Sequence, residues 1–315
     1  MHSTPSLVPC GTLPSPTRSP RPLRGVVTAV SALALGCGFA VGFSTLRAED
    51  KPAPAEAKES AEERALREKR ERYLSWMKEY ARETVITLPV AAEGSRPKAT
   101  PVELPLIRYS DEEHRIPDAT LWAWTHNNRP VAFQKVEGNN WGGGRQWTIC
   151  FASLSEELIT VTWPNSRTHA MTKPGLQFRP ITDAEAPASN PRLRSNQMRT
   201  LKERFTARLG NSDGSSRAVS RTLPKPLLEY TDPATKLPIG AVFGMTASGT
   251  NPNVLLVIEA RPAPDGQLRW EYAHARMTGS SMELYDKETR LKTEGGTGSG
   301  DFGNWIYFFL PRAFE

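Results

Sequence analysis

The chain has 315 residues, of which 38% are hydrophobic and 8% aromatic, enough to build a packed core. Its 27 prolines and 23 glycines lie largely in the N-terminal segment and between apolar runs, which favours many short strands and turns and excludes a simple helical bundle. The formal charge of +6 is misleading, because four arginines and no acid lie in residues 1–48. The remaining chain is close to neutral, which disfavours a general nucleic-acid surface.

The first 48 residues are typical of an export signal or a membrane anchor. Val26–Phe43 carries no charge, arginines precede it, and Glu49 and Asp50 follow it. This charge order leaves the N-terminus in the cytoplasm and predicts a periplasmic or extracellular body. Cleavage after Ala48, retention as an anchor in the cytoplasmic membrane and lipidation at Cys37 all remain open, because eighteen apolar residues lie between a signal core and a minimal span.

Residues 49–83 form a spacer followed by an exposed helix. From about Ala61 to Glu83 the chain is rich in Glu, Arg, Lys, Leu and Ala and lacks Gly and Pro. Its apolar residues gather toward the end, so we expect the last turns to dock on the body. A short strand is expected at Val85–Leu88.

An internal repeat is the main organisational feature. Residues 105–111 (PLIRYSD) match 226–232 (PLLEYTD) at an offset of 121, and 119–125 match 240–246. Two extra residues follow in the second copy, after which Val131 meets Val254, Trp147 meets Trp270 and Ala152 meets Ala275. We therefore place repeat 1 at 103–165 and repeat 2 at 224–290 of a β-rich domain that covers 84–315.

The predicted fold is mainly β (α+β): two tandem four-stranded antiparallel meanders packed as a pseudo-twofold sandwich or closed barrel. An N-terminal stalk helix, an inter-repeat helix within 190–210 and a C-terminal strand at 304–310 complete it. The final strand has no counterpart in the first unit and is expected to close the sheet. The predicted meander strands are 120–126, 131–136, 146–153 and 158–163, then 241–247, 253–260, 269–276 and 281–286.

The inter-repeat helix is predicted over Arg192–Leu209, with a cap from Ser189 or Ser195 and an end at Gly210. Its opposite face carries basic side chains, which face either solvent or phosphates. Its expected apolar stripe is Met198, Leu201, Phe205 and Leu209, and its basic residues are Arg194, Arg199, Lys202, Arg204 and Arg208.

Comparison of the two copies separates core residues from candidate site residues. Trp122, Trp124 and Trp147 have bulky apolar counterparts in the second copy and are predicted to be core. Cys150 lies in an apolar run and is expected to be a buried hydrophobe. The copies diverge at a loop with an aromatic, two amides and an arginine, and in the glycine-rich segment before Trp305, where a function should be sought. The ligand-binding candidates in that loop are Asn139, Asn140, Trp141 and Arg145.

No catalytic set, metal site or cofactor is predicted. The histidines lack metal-ligand spacing, and the GxGxxG match at 298–303 is followed by a strand rather than a helix, so it is a linker. Asp111 and Asp232 occupy equivalent places, so a twofold could pair them as the acid and base of a hydrolase. The alternative is that each caps its own turn.

At LWAWTHNNRPVAF, SNQMRTLKERF and GTNPNVLLVIEARP, followed by WEYAHARM, the chain resembles a family of uncharacterised secreted proteins of planctomycete-type bacteria. The likeness spans about 105–286. It implies an exported bacterial protein, and it transfers no activity, cofactor or catalytic residue.

These patterns predict an exported, non-catalytic binding or structural module whose partner is an extracytoplasmic ligand or protein. The membrane is contacted only through the N-terminal segment. A hydrolase of envelope carbohydrate or peptide and a polyanion-binding protein that uses the basic helix are the alternatives.

Overall fold

The computed structural model covers the body of the chain. The expected leader, its cleavage site and most of the spacer lie outside the described part, and no helix within that part is long and apolar enough to span a membrane. The described residues are 60–92, 94–141, 144–210, 217–233 and 235–310.

The chain is mainly β, as predicted. Two helices precede groups of strands, α1 at Ala61–Glu83 and α2 at Pro191–Leu201, and a 3₁₀ turn follows α2 at Lys202–Arg204. The strands before α2 are β1 (Val85–Thr87), β2 (Thr100–Pro101), β3 (Ile107–Asp111), β4 (Ile116–His126), β5 (Arg129–Trp141), β6 (Gly144–Ser153), β7 (Thr160–Thr162), β8 (Thr168–Ala170) and β9 (Arg179–Pro180). Those after it are β10 (Phe205–Gly210), β11 (Arg217–Val219), β12 (Arg221–Thr222), β13 (Leu228–Thr231), β14 (Pro238–Thr246), β15 (Val254–Pro262), β16 (Leu268–Arg276), β17 (Ser281–Asp286), β18 (Thr289–Glu294), β19 (Gly300–Asp301) and β20 (Trp305–Leu310).

The strands form four antiparallel sheets. The seven-stranded sheet has the order β19-β20-β6-β5-β4-β2, with β3 also paired to β4. The six-stranded sheet has the order β12-β14-β15-β16-β9, with β13 also paired to β14. Smaller sheets have the orders β1-β7-β8 and β11-β10-β17-β18. None of these four sheets closes on itself, so the closed-barrel alternative is wrong for the described residues.

The fourth predicted strand of each meander leaves its sheet. Instead of pairing with β6, β7 pairs with β1 and β8; instead of pairing with β16, β17 pairs with β10 and β18. The reason is that both edges are already taken, since β20 pairs with β6 and β9 pairs with β16. The C-terminal strand therefore extends the seven-stranded sheet without closing it.

The predicted helix over 192–209 is wrong in its second half. The helix ends at Leu201, and Phe205–Gly210 is a strand that pairs with β17. Apolar residues at 201, 205 and 209 fit helical spacing, but Phe205, Ala207 and Leu209 are buried in alternation, as a strand requires. The N-cap is Asn190, whose side chain accepts from the Leu193 amide.

Helix α1 has the predicted bounds and docks at its end. Ser60 and Glu63 form a reciprocal capping box at its start. Its last turns bury Met77 and Tyr80, and the Trp76 ring lies 4.2 Å from the Trp147 ring. The docking predicted from the apolar residues is confirmed.

Both larger sheets are buried on both faces. On β4, Leu121 and Ala123 contribute to a core shared by the two sheets, whereas Trp122 and Trp124 point to the core beneath α1. On β15, Leu255 similarly faces the shared core, while its neighbours Val254 and Leu256 belong to the core beneath α2. The prediction that Trp122, Trp124 and Trp147 are core residues is confirmed, since none is more than 3% exposed.

The C-terminal strand offers a test of this architecture. We expect Ile306→Ala to lower the free energy of unfolding by about 2–5 kcal/mol. Ile306 is fully buried on the outer face of the seven-stranded sheet, in the core beneath α1. Phe309→Ala is the matched control on the same strand; its side chain is 40% exposed, and a loss of about 1 kcal/mol or less is expected. Urea unfolding measures both, and equal losses would contradict the burial of β20.

Candidate functional site

A cleft of about 530 Å³ lies where the two larger sheets meet. Its lining comes from the ends of β6 and β16, the segment before β9, strand β18 and the glycine-rich segment before β20. The volume is within the range of sites for small ligands. Ala152 and Ala275, which the repeat alignment makes equivalent, both line it.

Close packing shapes the two loops that border the cleft. A Cβ on Gly175 would lie 2.1 Å from the Ser153 carbonyl oxygen, so only glycine allows this loop to approach the end of β6. Gly303 has a φ of 90°, and its carbonyl accepts from the amides of Thr172 and Lys173. The two loops are thereby held to one another by backbone hydrogen bonds.

The cleft is lined by more cations than anions. Among the described lining residues, the Lys and Arg side chains are Lys173, Arg179, Arg276 and Lys292, and Glu294 is the single carboxylate. Lys173, Arg179 and Lys292 are exposed, whereas Arg276 is buried. The site therefore has an excess of positive charge that solvent or a ligand must balance.

Arg276 organises the floor of the cleft. Its guanidinium donates to the carbonyl oxygens of Thr278 at 2.7 Å, Gly295 at 2.9 Å and Gly279 at 3.1 Å, and also to that of Ser280. These bonds fix the chain on both sides of the β17–β18 hairpin. Arg276 is therefore a structural cation rather than a free ligand-binding group.

Glu294 lies between two basic side chains. Its Oε1 is 3.7 Å from His274 Nε2, and its Oε2 is 3.6 Å from Arg276 Nη1. Burial alone would raise the pKa of the Glu294 carboxyl, but His274, Arg276 and Lys292 hold it below its usual value. Glu294 is therefore ionised at neutral pH.

An aromatic stack forms one wall. The Phe302 ring stacks on the Trp305 ring with centroids 4.3 Å apart and planes 19° apart, and the Arg276 guanidinium lies 5.0 Å from the Trp305 centroid. Trp305 is buried, whereas Phe302 is only half-buried and lines the cleft. Phe302 is thus the aromatic surface that a ligand can contact.

The ligand-binding residues predicted from the sequence lie at a different place. They belong to the end of the β5–β6 hairpin, where Asn139 pairs with Gln146 and Asn140 with Arg145. Asn139 is buried and its side-chain amide donates to Thr148 Oγ1, while Asn140 is exposed. Neither Asn139 nor Asn140 lines the cleft. Trp141 and Arg145 lie on the same strands, and the site proposed for this hairpin stays a prediction.

Asp111 and Asp232 each cap a turn. The Asp111 carboxylate accepts from the His114 amide at 3.3 Å, and the Asp232 carboxylate accepts from the Thr235 amide at 2.7 Å. Asp111 also accepts from Asn251 Nδ2 at 2.9 Å. The capping role is confirmed, and the hydrolase pairing stays a prediction.

A buried polar cluster lies on the inner face of the seven-stranded sheet. Tyr109 donates to Glu137 at 2.8 Å, and Lys135 Nζ, 3.8 Å from Glu137, donates to Asn251 at 2.6 Å and to the Met277 carbonyl at 2.9 Å. Burial, followed by the charge of Glu137, raises the pKa of Tyr109 far above its usual value. Its groups are hydrogen-bonded to one another, so the cluster is structural.

A second cluster occupies the corresponding place in the six-stranded sheet. Tyr230 donates to Glu259 at 2.6 Å, and Arg129 donates to the same carboxylate at 2.7 Å. Arg261 Nη1 lies 3.3 Å from Glu259 and also pairs with Glu156. Arg129 comes from the start of β5, so it joins the two sheets.

The basic residues of the predicted inter-repeat helix do not share one helix face. Arg194 and Lys202 are buried, and Arg194 donates to the Ala188 carbonyl. Arg204 pairs with Asp286, and Arg208 lies on strand β10 over the Tyr285 ring. Arg199 is exposed. These residues do not form a continuous basic face on one helix. Polyanion binding through this region stays a prediction.

Metal binding and thiol chemistry have no support among the described residues. This part of the chain holds no group of three His, Cys, Asp or Glu side chains suited to a metal ion. Cys150 is buried, and burial raises the pKa of its thiol to about 12, so it is a buried hydrophobe as predicted.

Comparison with protein-family models, curated proteins and solved structures finds no match to the chain.

The sequence indicated the region of the cleft but not its residues. Divergence of the copies before Trp305 pointed to the loop that carries Phe302. His274, Glu294 and Lys173 carry no motif and come together only through the pairing of strands from separate parts of the chain. Their convergence requires the tertiary structure.

The contacts of the buried Asp111 carboxylate with Asn251 and His114 predict a specific pH dependence. Burial alone would raise the pKa of Asp111, but Asn251 and His114 hold it below its usual value. Its carboxylate therefore stabilises the fold above an unfolded-state pKa of about 4, and the contribution is lost as the pH falls through the lower folded pKa. We expect Asp111→Asn to lose about 1–3 kcal/mol at pH 7.

Urea unfolding between pH 7 and pH 2 measures this effect. The gap between wild type and Asp111→Asn should narrow below about pH 4. Asp232→Asn is the control, since asparagine still accepts the Thr235 amide and a change of about 0.5 kcal/mol or less is expected. A gap that is constant over this range would contradict the assignment.

Proposed function

We propose that the protein is a non-catalytic binding module whose ligand occupies the cleft between the two larger sheets. The observation that carries this proposal is the cleft itself, a space of about 530 Å³ that holds exposed cations and a half-buried aromatic ring. Its walls come from both sheets, so the fold offers a concave surface where they meet. Export to the periplasm or the cell exterior is part of the proposal and rests on the leader sequence.

Binding is favoured over hydrolysis by the chemistry of the lining residues. A glycosidase needs two carboxyl groups, one of them held protonated by a raised pKa. Glu294 is the single carboxylate among the described lining residues, and its pKa is lowered rather than raised. No serine or cysteine of the lining residues is hydrogen-bonded to His274. Among the described residues, the cleft therefore lacks the protonated carboxyl group that a glycosidase needs and a serine or cysteine that a histidine activates.

We further propose that the chain is a duplicated unit that pairs with itself about a local twofold. The unit includes a helix, because Met77 of α1 and Met198 of α2 are 121 residues apart and both are fully buried beneath their sheets. Tyr109 and Tyr230 have the same offset, and each donates to a buried glutamate on the next long strand but one. These correspondences extend the repeat beyond its sequence match.

Reciprocal contacts support the twofold. Arg129, at the first hairpin of one unit, pairs with Glu259 of the other, and Asn251, at the equivalent hairpin, binds Lys135 of the first. Each unit also gives an edge strand to its partner, since β9 pairs with β16 and β20 pairs with β6. Such an exchange is the geometry of a strand-swapped dimer within one chain.

Division of the chain tests the duplication. We expect fragments 60–185 and 186–315 to be unfolded as monomers, because each lacks an edge strand and one face of the shared core. Co-expression should give a folded one-to-one complex, and a folded homodimer of either fragment would also support the proposal. Circular dichroism and sedimentation measure both properties. A cooperatively folded monomer of either fragment would contradict it.

A blocked cleft tests the binding function. We expect Gly295→Trp to fill the site, because a Cβ there meets no atom within 4 Å and Gly295 lines the cleft. Gly298→Trp is the matched control in the same segment, with equal space and no place in the lining. Both variants should fold normally, because each new side chain has space. Only Gly295→Trp should lose ligand binding, because only that side chain fills the cleft.

Thermal unfolding in a panel of neutral sugars, sugar acids, amino acids and dipeptides provides the measurement. A ligand at about a hundred times its Kd adds about 2.7 kcal/mol to the folded state. At least one compound should stabilise the wild type and the Gly298→Trp variant but not the Gly295→Trp variant. Stabilisation that survives in Gly295→Trp, or its absence throughout the panel, would contradict binding in the cleft.

A further inference from the structure

The cleft carries positive charge that the protein does not neutralise. Lys173 and Lys292 are exposed lining residues, and neither ammonium has a hydrogen bond or ion pair within the described part of the chain. Lys292 acts on Glu294 only through its charge, and Arg179 interacts with the side chain of Tyr272. Two lysines without a bonded partner thus line a concave space.

The one carboxylate of the cleft does not satisfy these cations. Glu294 lies 3.7 Å from His274 and 3.6 Å from Arg276, so its charge is shared with two side chains that are largely buried. Arg276 is in turn bonded to four backbone carbonyls. The negative charge of Glu294 is therefore paired at the floor of the cleft, and the positive charges of Lys173 and Lys292 remain for a ligand.

The other wall is suited to a ring with hydroxyl groups. Phe302 offers a half-buried aromatic face that Trp305 holds in place by stacking. Ser153 and Gln177 line the same cleft and supply a hydroxyl and an amide, which exchange hydrogen bonds with hydroxyl groups. An aromatic face with hydrogen-bonding side chains around it suits a ligand that has an apolar ring face and polar edges.

We propose that the ligand of the cleft is an acidic sugar, a pyranose unit with a carboxylate. The carboxylate pairs with Lys173 and Lys292, and the ring packs on Phe302. This inference rests on the proposed binding function and names the ligand class of that same site. A free sugar acid and the acidic end of a polysaccharide present the same chemistry, so both are included in the class.

Isothermal titration with matched probes tests the charge. Cellobiouronic acid (glucuronic acid β1,4-linked to glucose) and cellobiose differ by one carboxylate and have nearly the same size. We expect the acid to bind at least about tenfold more tightly at low salt, a difference of about 1.4 kcal/mol. The preference should shrink as salt is added, because the lysines are exposed and screened.

Charge reversal separates local from general electrostatics. The double variant Lys173→Glu, Lys292→Glu should bind the acid about tenfold or more weakly than wild type while its affinity for cellobiose is unchanged. Lys98→Glu, Lys225→Glu is the matched control, because both lysines are exposed, lie outside the lining and change the net charge equally. Phe302→Ala should weaken both probes together, since the ring contacts the part that they share.

The results distinguish failure of the acidic-sugar inference from failure of the proposed binding function. Equal affinity for the two probes, with binding lost in Gly295→Trp, overturns the acidic-sugar inference and leaves the binding cleft intact. The acidic-sugar inference is also overturned if no acidic sugar binds but a neutral sugar, amino acid or dipeptide of the panel binds in a manner that Gly295→Trp abolishes. Acid binding that survives in Gly295→Trp overturns the proposed function itself, since the ligand then lies elsewhere.

Discussion

Within the described residues, both faces of each larger sheet pack against other elements over most of their length, and most of the structure follows from this constraint. Residues such as Leu121 and Val242 fill a core between the sheets, while Trp122 and Phe243 fill separate cores outside them. A sheet that is apolar on both sides must be covered on both sides. The helices and the two smaller sheets supply the outer covers, and each larger sheet covers the other.

The same constraint explains the buried charges at the rim of the shared core. Glu137 and Glu259 lie on inner faces, where an isolated carboxylate would be costly. Each receives a tyrosine hydroxyl from its own sheet, and cations from Lys135 or from Arg129 and Arg261 complete the two clusters. Because Arg129 and Asn251 reach across from opposite hairpins, these clusters fix the relative position of the two sheets as well as satisfy buried groups.

The cleft forms where loops of different sequence meet the strand ends of the two larger sheets. Its floor comes from equivalent strand ends at Ala152 and Ala275, but its walls come from the loops before β9 and β20, which differ in sequence. Loops can diverge there without loss of the core, because the edge strands β9 and β20 anchor them. A paired scaffold can thereby carry one asymmetric site.

Local signals account for the parts of the fold that the sequence predicted correctly. The composition of 61–83, the capping sequence at Ser60 and the pattern of bulky residues at Trp122, Trp124 and Trp147 each act within a few residues. The sheets predicted for the strands at 158–163 and 281–286 and the helix predicted over 205–209 were wrong for a shared reason. Strand partners and the edges available to them depend on segments far away in the chain, which local periodicity does not encode.

The sequence by itself determined the mainly β class, the first helix and residues that must be buried, such as Trp122 and Trp124, because these depend on short-range pattern and on the hydrophobic effect. Only the tertiary structure decided which sheet each strand joins and which side chains meet. Lys173, His274, Glu294 and Phe302 come from separate segments, and they meet in one cleft because β20 pairs with β6, β9 pairs with β16 and the two sheets pack together. The physical reason is that a site is defined by proximity in space, and that proximity is created by long-range strand pairing and by the burial of both faces of each larger sheet.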